Sequence, residues 1–200
     1  MKVSIKITLM LALILVSLPA RVFGEHIEFG SVSIVDDKLR VSFAVVSYQR
    51  KDILEAIKRG IEVKILYEIQ VYRSPRLFFT GTRVAYDKSI LRSVKFDFWS
   101  KAFQVKEGQK KIFFRSENAM LDYFFSVRDS ELVGAHMIGL EGSGVRARAE
   151  LKTVELYFPM NLIFRYLVRF WDFETGWVKG PAINLQLLRT GMGQNGPDYA

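Results

Sequence analysis

The stretch Ile61-Glu-Val-Lys-Ile-Leu-Tyr-Glu-Ile-Gln-Val-Tyr72 decides the fold. Ile61, Val63, Ile65, Tyr67, Ile69 and Val71 take every second position, and Glu62, Lys64, Leu66, Glu68, Gln70 and Tyr72 take the positions between. Successive side chains of a strand point to opposite faces, so one set meets a core and the other meets water. The period recurs on both sides. Leu39, Val41, Phe43 and Val45 alternate with Arg40, Ser42 and Ala44; Val94, Phe96 and Phe98 alternate with Lys95 and Asp97. Asp36-Asp37 lies between two such runs and reads as a hairpin turn. Ile27–Ile34, Leu77–Tyr86, Lys111–Phe114 and Val145–Phe158 are further strand-like pieces. In the last piece the apolar phase slips from odd positions (Val145 to Leu151) to even ones (Val154 to Phe158), which predicts a bulge near Lys152–Thr153.

Three segments change to helical spacing. Asp52-Ile-Leu-Glu55 has the form of a capping box, Ile53 and Ile57 follow, and Gly60 suits a left-handed stop. Met120, Tyr123, Phe124 and Val127 fall at i, i+3, i+4 and i+7, with Ser116 as the cap. After Pro159, Met160, Ile163, Phe164, Leu167, Val168 and Trp171 keep the same rhythm. The sum is a mainly β (α+β) domain, an antiparallel sheet or sandwich with about three short amphipathic helices.

A short helix ending Ala56-Ile-Lys-Arg-Gly-Ile61 runs straight into the alternating strand and then into Val71-Tyr-Arg-Ser-Pro-Arg76. A basic aromatic strand, a helix after Ser116-Glu-Asn-Ala-Met120, Phe158-Pro159 before the last helix, and a close near Phe173–Trp177 complete the order. This order resembles the bacterial envelope family called domain of unknown function 4390, over roughly residues 27–190. Ile57 stands where the family has Leu, Glu62 where Pro is frequent, and Phe158 where Leu is usual. The resemblance implies export and a β-rich fold. It brings no catalytic residue, since the family has no established activity. Read physically, Gly60 supplies the positive φ that lets the chain leave the helix, so the segment is a folding device.

The first residues have the layout of an export signal. Lys2 and Lys6 precede the apolar run Ile7–Leu18, Pro19-Ala20 ends it, and Val22 and Gly24 stand at −3 and −1 of a cut before Glu25. The expected organisation is a signal peptide over 1–24, one β-rich domain over 25–190 and a flexible tail over 191–200. The alternative is an uncleaved anchor, although the run is only about half of the roughly 20 residues that span a bilayer. Residues 1–24 hold Lys2, Lys6 and Arg21 and no acid, so their removal lowers the net charge from +8 to +5. That excess is too small and scattered to argue for nucleic acid.

The chain has no cysteine, which excludes disulfides, thiol catalysis and Cys-ligated metals, and it has only His26 and His136. Gly139-Leu-Glu-Gly142-Ser-Gly144 does not have the spacing of a nucleophile elbow and reads as a hairpin turn; His136 reads as a hydrogen-bonded strand residue. Asp122, Asp129, Glu131, Glu141 and Glu150 offer carboxylates, but no spacing selects a pair for glycoside hydrolysis. No phosphate loop, dinucleotide fingerprint, calcium loop or zinc helix is present, so neither a cofactor nor a metal is expected.

What remains is surface. Arg146, Arg148 and Lys152 share one strand face, and Lys110, Lys111 and Arg115 flank Phe113 and Phe114. Arg165 and Arg169 mark the polar side of the helix Met160–Trp171. The sequence thus predicts an exported, non-enzymatic binding or accessory module, in the periplasm or elsewhere in the envelope. Arg146, Arg148, Lys152, Arg165 and Arg169 would meet an envelope protein or a membrane surface. The alternative is a carrier that holds a lipid or another apolar ligand in an aromatic β interior (16 Phe, 8 Tyr, 3 Trp).

Overall fold

The computed structural model describes residues 24–73, 82–134, 143–152 and 172–181. In chain order the elements are β1 (His26–Val35), β2 (Lys38–Val46), α1 (Arg50–Lys58), β3 (Val63–Arg73), β4 (Arg83–Asp97), β5 (Ala102–Glu107) and β6 (Lys110–Phe114). Then come α2 (Glu117–Phe124), β7 (Ser126–Gly134), β8 (Ser143–Lys152), β9 (Phe173–Glu174) and β10 (Val178–Lys179). The strands form two antiparallel sheets. The small one has the order β1-β2-β7; the large one runs β10-β8-β3-β4-β5-β6, with β9 also on β8.

The deciding stretch forms β3, at the middle of the large sheet. Val63, Ile65, Tyr67, Ile69 and Val71 are all fully buried, and the residues between them face outward. The small sheet lays Leu39, Val41, Phe43 and Val45 against this inner face, in one core. Phe43 meets Tyr67 edge-on across the sheets, with ring centroids 5.6 Å apart. The Tyr67 hydroxyl donates to the Phe124 carbonyl at 2.7 Å and so ties the sheet to α2.

The local signals act where the sequence places them. Asp36 (φ 52°) and Asp37 (φ 60°) make the two-residue turn of a β1–β2 hairpin with both centres left-handed, the form that matches strand twist. At the end of α1 the Ile61 N–H bonds the Ala56 carbonyl (3.1 Å) and the Gly60 N–H bonds the Ile57 carbonyl (3.0 Å), with Gly60 at φ +89°. This pair of bonds is a Schellman closure, and β3 follows at once. The Ser116 hydroxyl caps α2 by accepting from the Ala119 N–H at 3.4 Å.

Four details differ from the sequence reading. First, α1 begins at Arg50, after Gln49, so Asp52 lies in the first turn and is not the cap. The Tyr48 ring stacked on Phe125 (centroids 3.8 Å apart) fixes the entry of the chain at that earlier point. Second, α2 stops at Phe124, and Val127 belongs to β7, opposite Phe43. The Arg92 guanidinium accounts for the stop, because it binds the Tyr123 and Ser126 carbonyls at 2.5 Å each. Third, β4 is one strand of 15 residues, with Phe98 in the turn beyond it. Its inner positions include Lys88 and Arg92, which interrupt the apolar pattern. Fourth, β5 and β7 are strands the sequence reading passed over. In β7 the left-handed Asp129 (φ 46°) and register shifts against β2 break the period of two.

The third expected helix, Met160–Trp171, lies outside the described residues, as do residues 153–158 and most of the leader; up to Lys152 the register of β8 on β3 runs without the expected bulge. The last described segment closes on β8. Thr175 exchanges bonds with Ala149 (its N–H to the carbonyl, its hydroxyl accepting from the N–H, both 2.9 Å), and the Gly180 N–H bonds the Val145 carbonyl at 2.8 Å. A Cβ on Gly180 would stand 2.9 Å from the Phe29 ring, so β1 packs directly over this backbone.

Candidate interaction surface

Strand register places the outward residues of the large sheet in rows. One row runs Arg146, Gln70, Asp87; the next runs Arg148, Glu68, Ser89. Arg146 donates twice to the Gln70 side-chain oxygen, at 3.0 and 2.7 Å. Arg148 binds Glu68 and reaches Glu174 at 3.1 Å. The Glu68 bond, with the nearby carboxylates, pushes the Arg148 pKa up. The Trp177 ring takes both guanidiniums, with Arg146 Cζ 4.7 Å and Arg148 Cζ 5.1 Å from its centroid. Lys152 pairs with Glu150 at 2.9 Å. The structure therefore brings Arg146, Arg148 and Lys152 to one face, as the sequence predicts, and gives each a partner within the domain. Arg165 and Arg169 lie outside the described residues.

The next rows toward the β4–β5 turn are different. Lys152, Lys64, Ser93, Lys106 and Lys111 stand opposite one another across β8, β3, β4, β5 and β6. Beside that row run Lys95, Gln104 and Phe113. On the other side run Glu150, Leu66 and Leu91 across β8, β3 and β4. Ser89, Leu91, Ser93, Lys95, Gln104, Lys106, Lys111 and Phe113 form the outer face of β4–β6 over this span, with no acid among them. Leu91 is 55% exposed and Phe113 57%. Lys111 and Phe113 come from the second basic group of the sequence reading, whereas Phe114 turns inward against Tyr123. Lys95 and Lys106 escaped that reading, since only pairing register brings them together.

A family model described as "Domain of unknown function (DUF4390)" matches residues 25–180. The chain belongs to this family. No curated protein and no solved structure matches it. The matched range of the DUF4390 domain includes every described strand. Its helix-to-strand segment, Ala56–Ile61, is the Schellman closure and sits away from the lysine rows.

Where β5 ends, residues 83–91 of β4 pair only with β3 among the described residues. An open groove of about 660 Å³ lies there, lined by Lys64, Lys88, Leu91 and Lys106 and by the carboxylate residues Glu62 and Glu107. Lys88 spans to β7, donating to the Ser130 hydroxyl at 3.1 Å and the Glu131 carbonyl at 2.6 Å. Under the sheet, Arg92 is 5% exposed and bonds Glu107 at 2.5 Å, with Tyr123 donating to the same carboxylate oxygen at 3.1 Å. Burial pushes the Tyr67 and Tyr123 hydroxyl pKa values up, so both stay protonated donors. This network holds elements together, and every strong donor in it has an acceptor. His26 bonds the Gly24 carbonyl at 3.2 Å, and His136 lies outside the described residues. Among the described residues no three His, Asp or Glu side chains gather as metal ligands, and no helix is long and apolar enough to cross a membrane.

Proposed function

We propose that this domain is an exported, non-enzymatic binding module of the bacterial envelope, and that it binds through the outer face of β4–β6. One observation carries the reading. Outward charges on β8 and β3 are matched by neighbours, whereas Lys95, Lys106 and Lys111 are in no ion pair among the described residues and share their face with exposed Leu91 and Phe113. Exposed apolar side chains rimmed by polar ones mark an interaction site. The leader supports export.

The second reading, an apolar-ligand carrier, has weaker support. Among the described residues the space between the sheets is occupied by fully or nearly fully buried side chains, Phe43, Tyr67 and Phe124 foremost.

A photo-crosslinking side chain introduced at Lys106 tests the proposal, with one at Ser33 on β1 as the comparison. In envelope fractions, adducts are expected from position 106 and not from 33, on a protein whose N-terminus begins at Glu25. Full-length protein in the cytosol, with no adduct from either position, overturns it.

A further inference from the structure

We infer that the outer face of β4–β6 docks on an anionic phospholipid surface. The inference rests on the binding-module reading and names its partner. Four observations lead to it.

The first is a like-charge opposition that the fold itself does not need. Lys106 stands directly opposite Lys111. Like charges in opposed positions of antiparallel strands weaken a sheet. The second is the contrast within one sheet. The arginine rows a few residues away are matched to Glu68, Glu174 and Gln70. On β4–β6, by contrast, Lys95, Lys106 and Lys111 are in no ion pair among the described residues, while Lys152 on β8 pairs with Glu150.

The third observation is shape. Strands lie about 4.8 Å apart and residues about 3.3 Å apart along them, so the face from Ser93 to Lys111 and from Leu91 to Lys95 extends about 10 by 13 Å on an open pleated surface. Such a face fits an extended surface of negative charge better than a single small anion. The fourth is the apolar company. Leu91 (55% exposed) and Phe113 (57% exposed) lie in the rows beside the lysines. Against a sugar–phosphate chain these two side chains gain little. Against a bilayer they enter the boundary between headgroups and acyl chains while the ammonium groups stay with the phosphates. Lysine stems also permit this division, because they are long and apolar up to the charge.

The test is sedimentation of the full chain with vesicles of phosphatidylcholine alone and of phosphatidylcholine with phosphatidylglycerol. Any pull of the apolar leader is common to both, so the readout is the gain caused by anionic lipid. That gain is expected to fall about tenfold or more in Lys106→Glu/Lys111→Glu, since each lysine near an anionic surface contributes roughly fivefold and reversal also adds repulsion. Lys51→Glu/Arg128→Glu carries the same change of net charge on exposed positions elsewhere and should lose much less. The single variant Lys106→Glu separates docking from folding. Its carboxylate would face Lys111, so thermal stability should rise slightly while lipid binding falls. A structural role alone would move the two together.

No gain from anionic lipid overturns the inference, and so does equal loss in the two double variants. Displacement from the vesicles by stoichiometric inorganic polyphosphate also overturns it, in favour of a soluble polyanion. If the vesicles fail while crosslinks to a protein form from position 106, the binding-module reading stands and its lipid partner is wrong.

Discussion

At position 92 the inner face of β4 carries a guanidinium between the partly buried Ile90 and the buried Val94. Its partners are Glu107, two carbonyls at the end of α2, and the Tyr123 ring 4.4 Å from Cζ. Replacing Arg92 by Met leaves those acceptors in a partly closed space. A loss of about 3 kcal/mol is expected in urea unfolding, near the low end for breaking a buried pair because Glu107 keeps some contact with water. Tyr67→Phe removes one buried bond and should cost about 1 kcal/mol by the same measurement. On the small sheet, the hydrogen bond from Lys38 (2.9 Å), with Arg40 beside it, holds the Glu131 carboxyl below its ordinary value. A depressed carboxylate contributes stability that is present above its ordinary pKa and lost as pH falls below it. The melting temperature should therefore drop between about pH 6 and pH 3, and Glu131→Gln should narrow that drop. None of these three partnerships was legible in the sequence. Each joins residues far apart in the chain, and an arginine on a strand gives no sign of which acceptors will meet it.

The elements were far more legible, where local rules act alone. β3 reads correctly because a single period persists over its whole length, and the β1–β2 hairpin because two aspartates sit between two alternating runs. The close of α1 reads correctly because few residues other than glycine accept φ +89°. Gly60→Ala should cost about 1–2 kcal/mol by thermal denaturation, the left-handed penalty for a residue with Cβ. Crowding adds to it, since the new methyl would stand 3.3 Å from the Phe98 ring. β4, β5 and β7 were split or missed because tertiary needs overrode the pattern. Inner Lys88 reaches β7, inner Arg92 reaches α2, and left-handed Asp129 shifts the register of β7. The candidate surface failed to read for a related reason. Lys95, Lys106 and Lys111 belong to three strands, and no local rule predicts which strands become neighbours.

Over the whole molecule, the class was legible and the assembly was not. Alternation predicts antiparallel strands and a sheet or sandwich, and two packed antiparallel sheets are found. The sequence does not reveal that β7 crosses to β2 or that β8 inserts beside β3. The arginines that stand out by composition turn out to be matched to neighbours around Trp177, and the quieter lysines form the open face. At this scale the closing segment is testable. A chain ending at Trp171 lacks Thr175 and Gly180, and with them the bonds to β8 and the backbone under Phe29. It should lose its cooperative melting transition in circular dichroism.

The meeting of Phe29 with Gly180 has a further consequence. The first strand finds its cover about 150 residues later in the chain, so that cover cannot form before residue 180 has been made. Local hairpins can form early, but the lid on the first of them arrives last. Whatever holds β1 in place before then is its own hairpin, and the covered side of Phe29 stays open to water until residues 172–181 are laid down.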